Sequence, residues 1–227
     1  MGDPIEFFQP DARPLLAIED LSKGFTLHAA DRRVRGCEHI SLSVLPGEFV
    51  GVTGRSGSGK STILKCIYRT NLPESGHIMY DSEAFGPVDL ATLDERRVIY
   101  LRNYEIGYVS QFLDAVPRTT AREIVRASAA EAFADEDAIE EETTRMLEHF
   151  DFPKPLWDLY PNTFSGGEKL RLNIARAMVR RPRLLLLDEP TASLDNASKI
   201  KVRDLIEQLK AGGTTMLGIF HDLEFME

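Results

Sequence analysis

The sequence predicts an α/β fold built on a mostly parallel sheet and interrupted by a helical segment. Three observations predict it. Residues 184–187 are four consecutive leucines, an apolar run of strand length, as expected for a strand buried on both sheet faces. Strand-like and helix-like stretches alternate on either side of it, the pattern of parallel strands joined by crossover helices. Between residues 121 and 150 the apolar spacing is that of helix alone.

The elements follow in chain order. Residues 15–19 and 40–44 read as strands joined by a polar stretch rich in Arg and Asp. Residues 48–53 form a strand that runs into GRSGSGKST, after which Ile63, Leu64 and Ile67 share one helical face. Residues 77–80 are short and strand-like, and 106–110 form a strand ending at Gln111. In the helical stretch from 121 to about 150, Ile139, Met146, Leu147 and Phe150 make the apolar face. Residues 135–142 hold six acids in eight positions; a solvated face near a helix N-terminus accounts for them more simply than a metal cluster. Pro153, Pro155 and Pro161 break helix and make a connector. Residues 165 to about 180 are helical again. Residues 196–210 form an amphipathic helix with Val202, Leu205, Ile206 and Leu209 inward, ended by Gly212 and Gly213, and 215–220 form the last strand.

Composition narrows the function classes. The 227 residues carry 27 Lys and Arg against 36 Asp and Glu, a net charge of −9, without the basic excess of a general nucleic-acid binder. No apolar run approaches the roughly 20 residues of a membrane span. The polar, acidic N-terminus does not read as a secretory signal. Cys37 and Cys66 lack metal-ligand spacing and read as reduced thiols of a cytoplasmic protein, Cys66 as a small core residue.

Gly54, Arg55, Ser56, Gly57, Ser58, Gly59, Lys60 and Ser61 match the phosphate-loop pattern G-x-x-x-x-G-K-[ST] in full, with a strand before and an amphipathic helix after. The glycines let successive N–H groups turn inward toward phosphate oxygens. Lys60 would reach the β- and γ-phosphates, Ser61 would place its hydroxyl on Mg²⁺, and Thr62 would lie on the α-phosphate side. Arg55 counts as part of the loop, with no role for its side chain. Asp188 ends the leucine strand at the sheet edge where open α/β sheets bind ligands, and there it would hold Mg²⁺ through water. Glu189, next along, is placed to polarise an attacking water as general base.

The segment TFSGGEKLRL, residues 163–172, puts Gly166 and Gly167 in the first turn of a helix, at a cost of about 1 kcal/mol each relative to alanine. Ser165 and Glu168 make a capping box, which is one reading. Close approach of an anion to the bare helix N-terminus is the other.

Together these motifs resemble the ATP-binding subunit of an ABC-type ATPase, from about residue 18 to 222. The resemblance is carried by the phosphate loop, Gln111 at a strand end, SGGE at 165–168, LLLLDEP at 184–190, SLD at 193–195 and His221 after an apolar strand. It implies a phosphate-loop NTPase fold: a mostly parallel sheet, an antiparallel β subdomain, and an inserted α-helical subdomain at 112–165 within a single domain spanning 1–227. It implies ATP and Mg²⁺ as ligands, ATP hydrolysis to ADP and phosphate, and a head-to-tail pair of ATP-binding subunits, identical or related. In such a pair Ser165, Gly166 and Gly167 of one subunit face the γ-phosphate held by the loop of the other, so the capping box and the phosphate site need not compete. Gln111 would sense the γ-phosphate and Mg²⁺, and His221 would hold the attacking water with Glu189. Asp195 would sit at the subunit interface. Phe25 resembles the aromatic that stacks on adenine, though a core role is equally open to it. The family more often has Gln where Glu168 stands, and it continues through a further strand and helix after the histidine, whereas this sequence ends at Glu227.

Stretches 108–125 and 157–177, with LLLLDEPTASLD and GIFHD, resemble one branch of the family, the ATP-binding protein of the bacterial carbon–phosphorus lyase system for phosphonate use. The length of the insertion at about 81–104 fits that branch too. The branch implies a soluble enzyme complex as partner. The alternative is a membrane permease, which would place the chain at the inner face of the membrane.

Overall fold

The computed structural model describes residues 13–27, 32–55, 57–110, 117–191, 194 and 196–220. The chain runs β1 (Leu16–Leu27), β2 (Arg32–Val44), β3 (Phe49–Thr53), α1 (Lys60–Ile67), β4 (Ser75–Ser82), β5 (Gly86–Asp89), α2 (Glu95–Tyr104), β6 (Ile106–Val109), α3 (Ala121–Ala132), α4 (Glu136–His149), α5 (Gly166–Met178), β7 (Leu184–Asp188), α6 (Asn196–Ala211) and β8 (Thr215–Phe220). Two short 3-10 turns, Lys154–Leu156 and Pro161–Thr163, make the proline-rich connector.

Two sheets form. One has the order β2-β1-β4-β5 and is antiparallel; the other has the order β3-β8-β7-β6 and is parallel. The fold is thus α/β, with one parallel and one antiparallel sheet. β7 is buried along its whole length. Its side chains divide by parity, as a strand requires. Leu185 and Leu187 join the core made with α3, α4, α5 and α6, whereas Leu184 and Leu186 join the core made with α1 and the antiparallel sheet. Asp188 shares the parity of Leu184 and Leu186, so the strand delivers it to the α1 side.

Three elements differ from the sequence expectation. The polar stretch after residue 19 is strand for most of its length: β1 reaches Leu27 and β2 starts at Arg32, paired antiparallel with register shifts. Exposed polar residues there satisfy the ladder without an apolar pattern. The stretch from 121 to 150 is two helices. α3 is capped by Thr120 and ends at Ala132, and α4 is restarted by Asp135, whose side chain accepts from the Ala138 N–H at 3.0 Å. Residues 81–104 fold into the end of β4, β5 and α2. Buried Glu105 accepts from the Ser82 hydroxyl at 2.8 Å and ties this segment to β6.

Candidate active site

The phosphate loop leaves β3 at Thr53 and enters α1 at Lys60. Gly59 takes φ +87°, and a Cβ there would stand 1.4 Å from the Gly36 carbonyl oxygen, so the loop lies pressed against β2. No side chain caps α1. The positive end of the helix, capped at Gly59 by no side chain, therefore faces the loop. Lys60 is 6 % exposed, and its ammonium donates to the carbonyls of Gly54 at 2.8 Å and Arg55 at 2.9 Å. The cation is held inside the turn of the loop.

Across from the loop, the Ser61 hydroxyl donates to Asp188 Oδ1 at 2.7 Å. The other carboxylate oxygen, Oδ2, accepts from the Tyr108 hydroxyl at 2.6 Å. Burial first, then the hydrogen bond and charge of Asp188, push the Tyr108 phenol well above its ordinary range, so it remains a donor. A hydroxyl and a carboxylate placed together are hard oxygen donors of the kind Mg²⁺ takes through one or two protein ligands, and the pair fits that ion. Glu189 follows with a left-handed backbone at φ 52°, and its N–H donates to the Ile219 carbonyl at 3.2 Å. A residue of this type in that region stores of order 1 kcal/mol or more, tolerated where surrounding structure imposes it.

Phe25 is 36 % exposed, with the Lys23 ammonium 5.3 Å from its ring centre. A Cβ at Gly36 would meet Phe25 Cε2 at 2.8 Å and Thr62 Cγ2 at 3.1 Å, so the ring lies beside the first turn of α1. The half-exposed ring is therefore at the mouth of the phosphate loop rather than in a core.

Ser165 caps α5, whose first residues are Gly166 and Gly167. Both bonds of the capping box form: the Glu168 N–H donates to Ser165 Oγ at 3.3 Å, and the Ser165 N–H donates to Glu168 Oε2 at 2.7 Å. The Ser165 hydroxyl also donates to that same oxygen at 2.8 Å. A cavity of about 150 Å³ adjoins this helix start, lined by Pro153, Arg171 and Lys201 among others, and none of the described phosphate-loop residues lines it. The loop, Ser61, Asp188 and Phe25 come together; Ser165 and Gly167 line a cavity that none of these described residues lines. Ser56, Gln111, Asp195 and His221 lie outside the described residues.

Tyr108 escaped the sequence reading. Its signal is parity: Tyr108 pairs with Leu186 in the β6–β7 ladder, which puts it on the same face as Asp188. That register is not written in either strand alone. Tyr108, Tyr68 and Arg102 also line a cleft of about 300 Å³ between β6 and helices α3 and α5.

The ABC transporter family model matches residues 37–192, well over half of the chain. The chain belongs to the ABC transporter family of ATP-binding domains. It is similar to the lipoprotein-releasing system ATP-binding protein LolD of Legionella pneumophila, 36 % identical over 215 residues that cover 94 % of this chain and 91 % of LolD. It is also 33 % identical over 214 residues to the macrolide export ATP-binding/permease protein MacB of Brucella abortus. That match covers 94 % of this chain and 32 % of MacB, so the chain spans about a third of that relative's length. Among solved structures it resembles the ATP-binding cassette MJ0796 in its dimeric post-hydrolysis state bound to ADP and Pi. There the TM-score is 0.82 at 26 % identity, covering 92 % of this chain and 89 % of that one. The ABC ATPase fold and the ATPase class of this chain rest on these matches together with the loop geometry.

Among the described residues, no helix is long and apolar enough to cross a membrane.

Proposed function

We propose that this chain binds and hydrolyses Mg-ATP as one half of a head-to-tail pair, and that the cycle of pairing and separation drives a partner assembly. The observation that carries the proposal is the meeting of Lys60, Ser61 and Asp188 at the end of β7. In this reading Lys60 exchanges the Gly54 and Arg55 carbonyls for phosphate oxygens, and the loop from Gly54 to Gly59 wraps the phosphates with N–H groups. Thr62 lies on the α-phosphate side, and Phe25 stacks on adenine. Ser61 and Asp188, with Gln111 as a third group, would hold magnesium, which would supply charge neutralisation at the β- and γ-phosphates. Glu189 takes the proton of the attacking water as the bond to the leaving ADP oxygen breaks, and His221 holds that water.

That no described loop residue lines the cavity beside Ser165 supports a shared site. The N-terminus of α5, bare at Gly166 and Gly167, is suited to the γ-phosphate bound by a second chain. We treat residues 1–227 as one ATP-binding domain with an inserted helical unit at 112–165, through which Gln111 reports nucleotide state. In this reading the partner that receives the report would dock at the cleft bordered by Tyr68, Tyr108 and α3.

The names of the relatives favour a membrane permease as partner, with the chain a cytoplasmic subunit at the inner face of the membrane. A second reading is an accessory role in the soluble carbon–phosphorus lyase complex. It is favoured by the resemblance of stretches 108–125 and 157–177 and by the length of the 81–104 insertion. Tagged Glu189→Gln protein, captured from its own cell with Mg-ATP, separates the two. A permease recovered with detergent supports the transporter reading, and a detergent-free enzyme complex supports the lyase reading. Protein that binds no nucleotide would overturn the proposal as a whole.

A further inference from the structure

Tyr108 is the third residue of β6 and faces the α1 side together with Asp188. Its hydroxyl donates to Asp188 Oδ2 at 2.6 Å while Ser61 donates to Oδ1 at 2.7 Å. Two donors on opposite oxygens fix the rotation of a carboxylate; one donor alone leaves it free to turn. The Tyr108 ring is itself held. Tyr68, at the end of α1, packs against it with ring centres 4.9 Å apart. The Arg102 guanidinium lies 4.8 Å from the centre of the Tyr68 ring, and Arg102 Nε donates to the Tyr68 carbonyl at 2.7 Å. The phenol is thus a braced arm from the wall of the cleft to the carboxylate at the nucleotide site.

We propose that Tyr108 is a positioning residue for Asp188, setting the orientation in which this carboxylate meets magnesium. The inference rests on the reading of Asp188 as a magnesium-holding group. Removal of a hydrogen-bond partner behind a metal ligand commonly weakens metal binding about 10- to 100-fold. A phenylalanine at 108 keeps the ring against Tyr68 and removes only the O–H.

The test is binding of a fluorescent ATP analogue to wild type and Tyr108→Phe, in EDTA and across a magnesium titration. Manganese binding followed by electron paramagnetic resonance provides a readout independent of turnover. The expected result is unchanged affinity in EDTA, a magnesium requirement raised about tenfold, and a parallel loss of manganese affinity. A variant whose magnesium and manganese dependence match wild type overturns the proposal. Equal loss of affinity with and without metal overturns it as well, because that marks a general structural role. If wild type itself shows no magnesium enhancement, the reading of Asp188 falls and this inference with it, an outcome distinct from a wild type that responds beside a variant that responds equally.

Discussion

Ser61 and Asp188 are 127 positions apart in the chain and meet at 2.7 Å, hydroxyl to carboxylate. One opens a helix and the other closes a strand, and the contact exists because β3 and β7 run parallel in one sheet, with β8 between them, so that both end at the same sheet edge. Asp188→Asn keeps the shape and removes the charge. Its magnesium-dependent gain in ATP-analogue affinity is expected to fall at least about tenfold, with affinity in EDTA retained. A magnesium titration of analogue fluorescence checks this.

Glu189→Gln is expected to retain Mg-ATP binding and lose about 100-fold or more in hydrolysis, the usual scale for removal of a general base. Phosphate release measured beside equilibrium binding separates the two effects. The same variant is expected to accumulate as an ATP-bound pair.

The close approach of Gly59 to Gly36 makes position 59 intolerant. Gly59→Ala would place a methyl group at 1.4 Å from the Gly36 carbonyl oxygen on a backbone with φ +87°. The left-handed backbone alone costs about 1–2 kcal/mol, and the clash adds to it. The expected outcome is a lowered melting temperature and loss of ATP binding, measured by thermal denaturation with and without Mg-ATP. In wild type, saturating ligand raises the melting temperature by mass action.

Ser165→Ala removes the cap of α5. A stability loss of about 1 kcal/mol is expected, seen as a melting shift of about 2–4 °C for a chain of this size. In the proposed pair the Ser165 hydroxyl would meet a second chain's γ-phosphate, so ATP-dependent pairing is expected to weaken beyond what the stability loss explains.

Burial, above all, pushes the Cys66 thiol up to about 11, and Cys37 is raised for the same reason. A group whose folded pKa exceeds its ordinary value remains protonated through neutral pH, so only about one Cys66 in a thousand is thiolate at pH 8. Alkylation with iodoacetamide at pH 8 is expected to leave native Cys66 unmodified and to label both cysteines after unfolding, as read by mass spectrometry.

Much of the site was legible because its parts are local. The phosphate loop is contiguous, its glycines demanded by positive φ. The buried strand ending in Asp188 and Glu189 announces itself by four leucines, and the capping box at Ser165 and Glu168 needs no partner further than three residues away. What escaped depends on register between distant strands. Tyr108 reaches Asp188 because β6 pairs with β7 one residue for one, and neither strand's composition states that pairing. The long antiparallel pair β1–β2 was hidden for a related reason: its outer residues face water, so polar side chains replaced the apolar alternation that marks a strand. The break between α3 and α4 turns on a single capping aspartate, Asp135, within a stretch whose acids otherwise read as one solvated helix face.

In the proposed pair each nucleotide is held by the phosphate loop of one chain and the Ser165 helix start of another. Mixing two inactive variants tests this arrangement most directly: Lys60→Ala, which disables the loop, and Ser165→Arg, which blocks the helix start. A mixed pair contains one site with both parts intact, so ATP hydrolysis is expected to appear on mixing, although each variant alone has none. Hydrolysis that survives in the Ser165→Arg protein alone, or a mixture that remains inactive while both variants fold and the Ser165→Arg chain still binds ATP, would contradict the shared site.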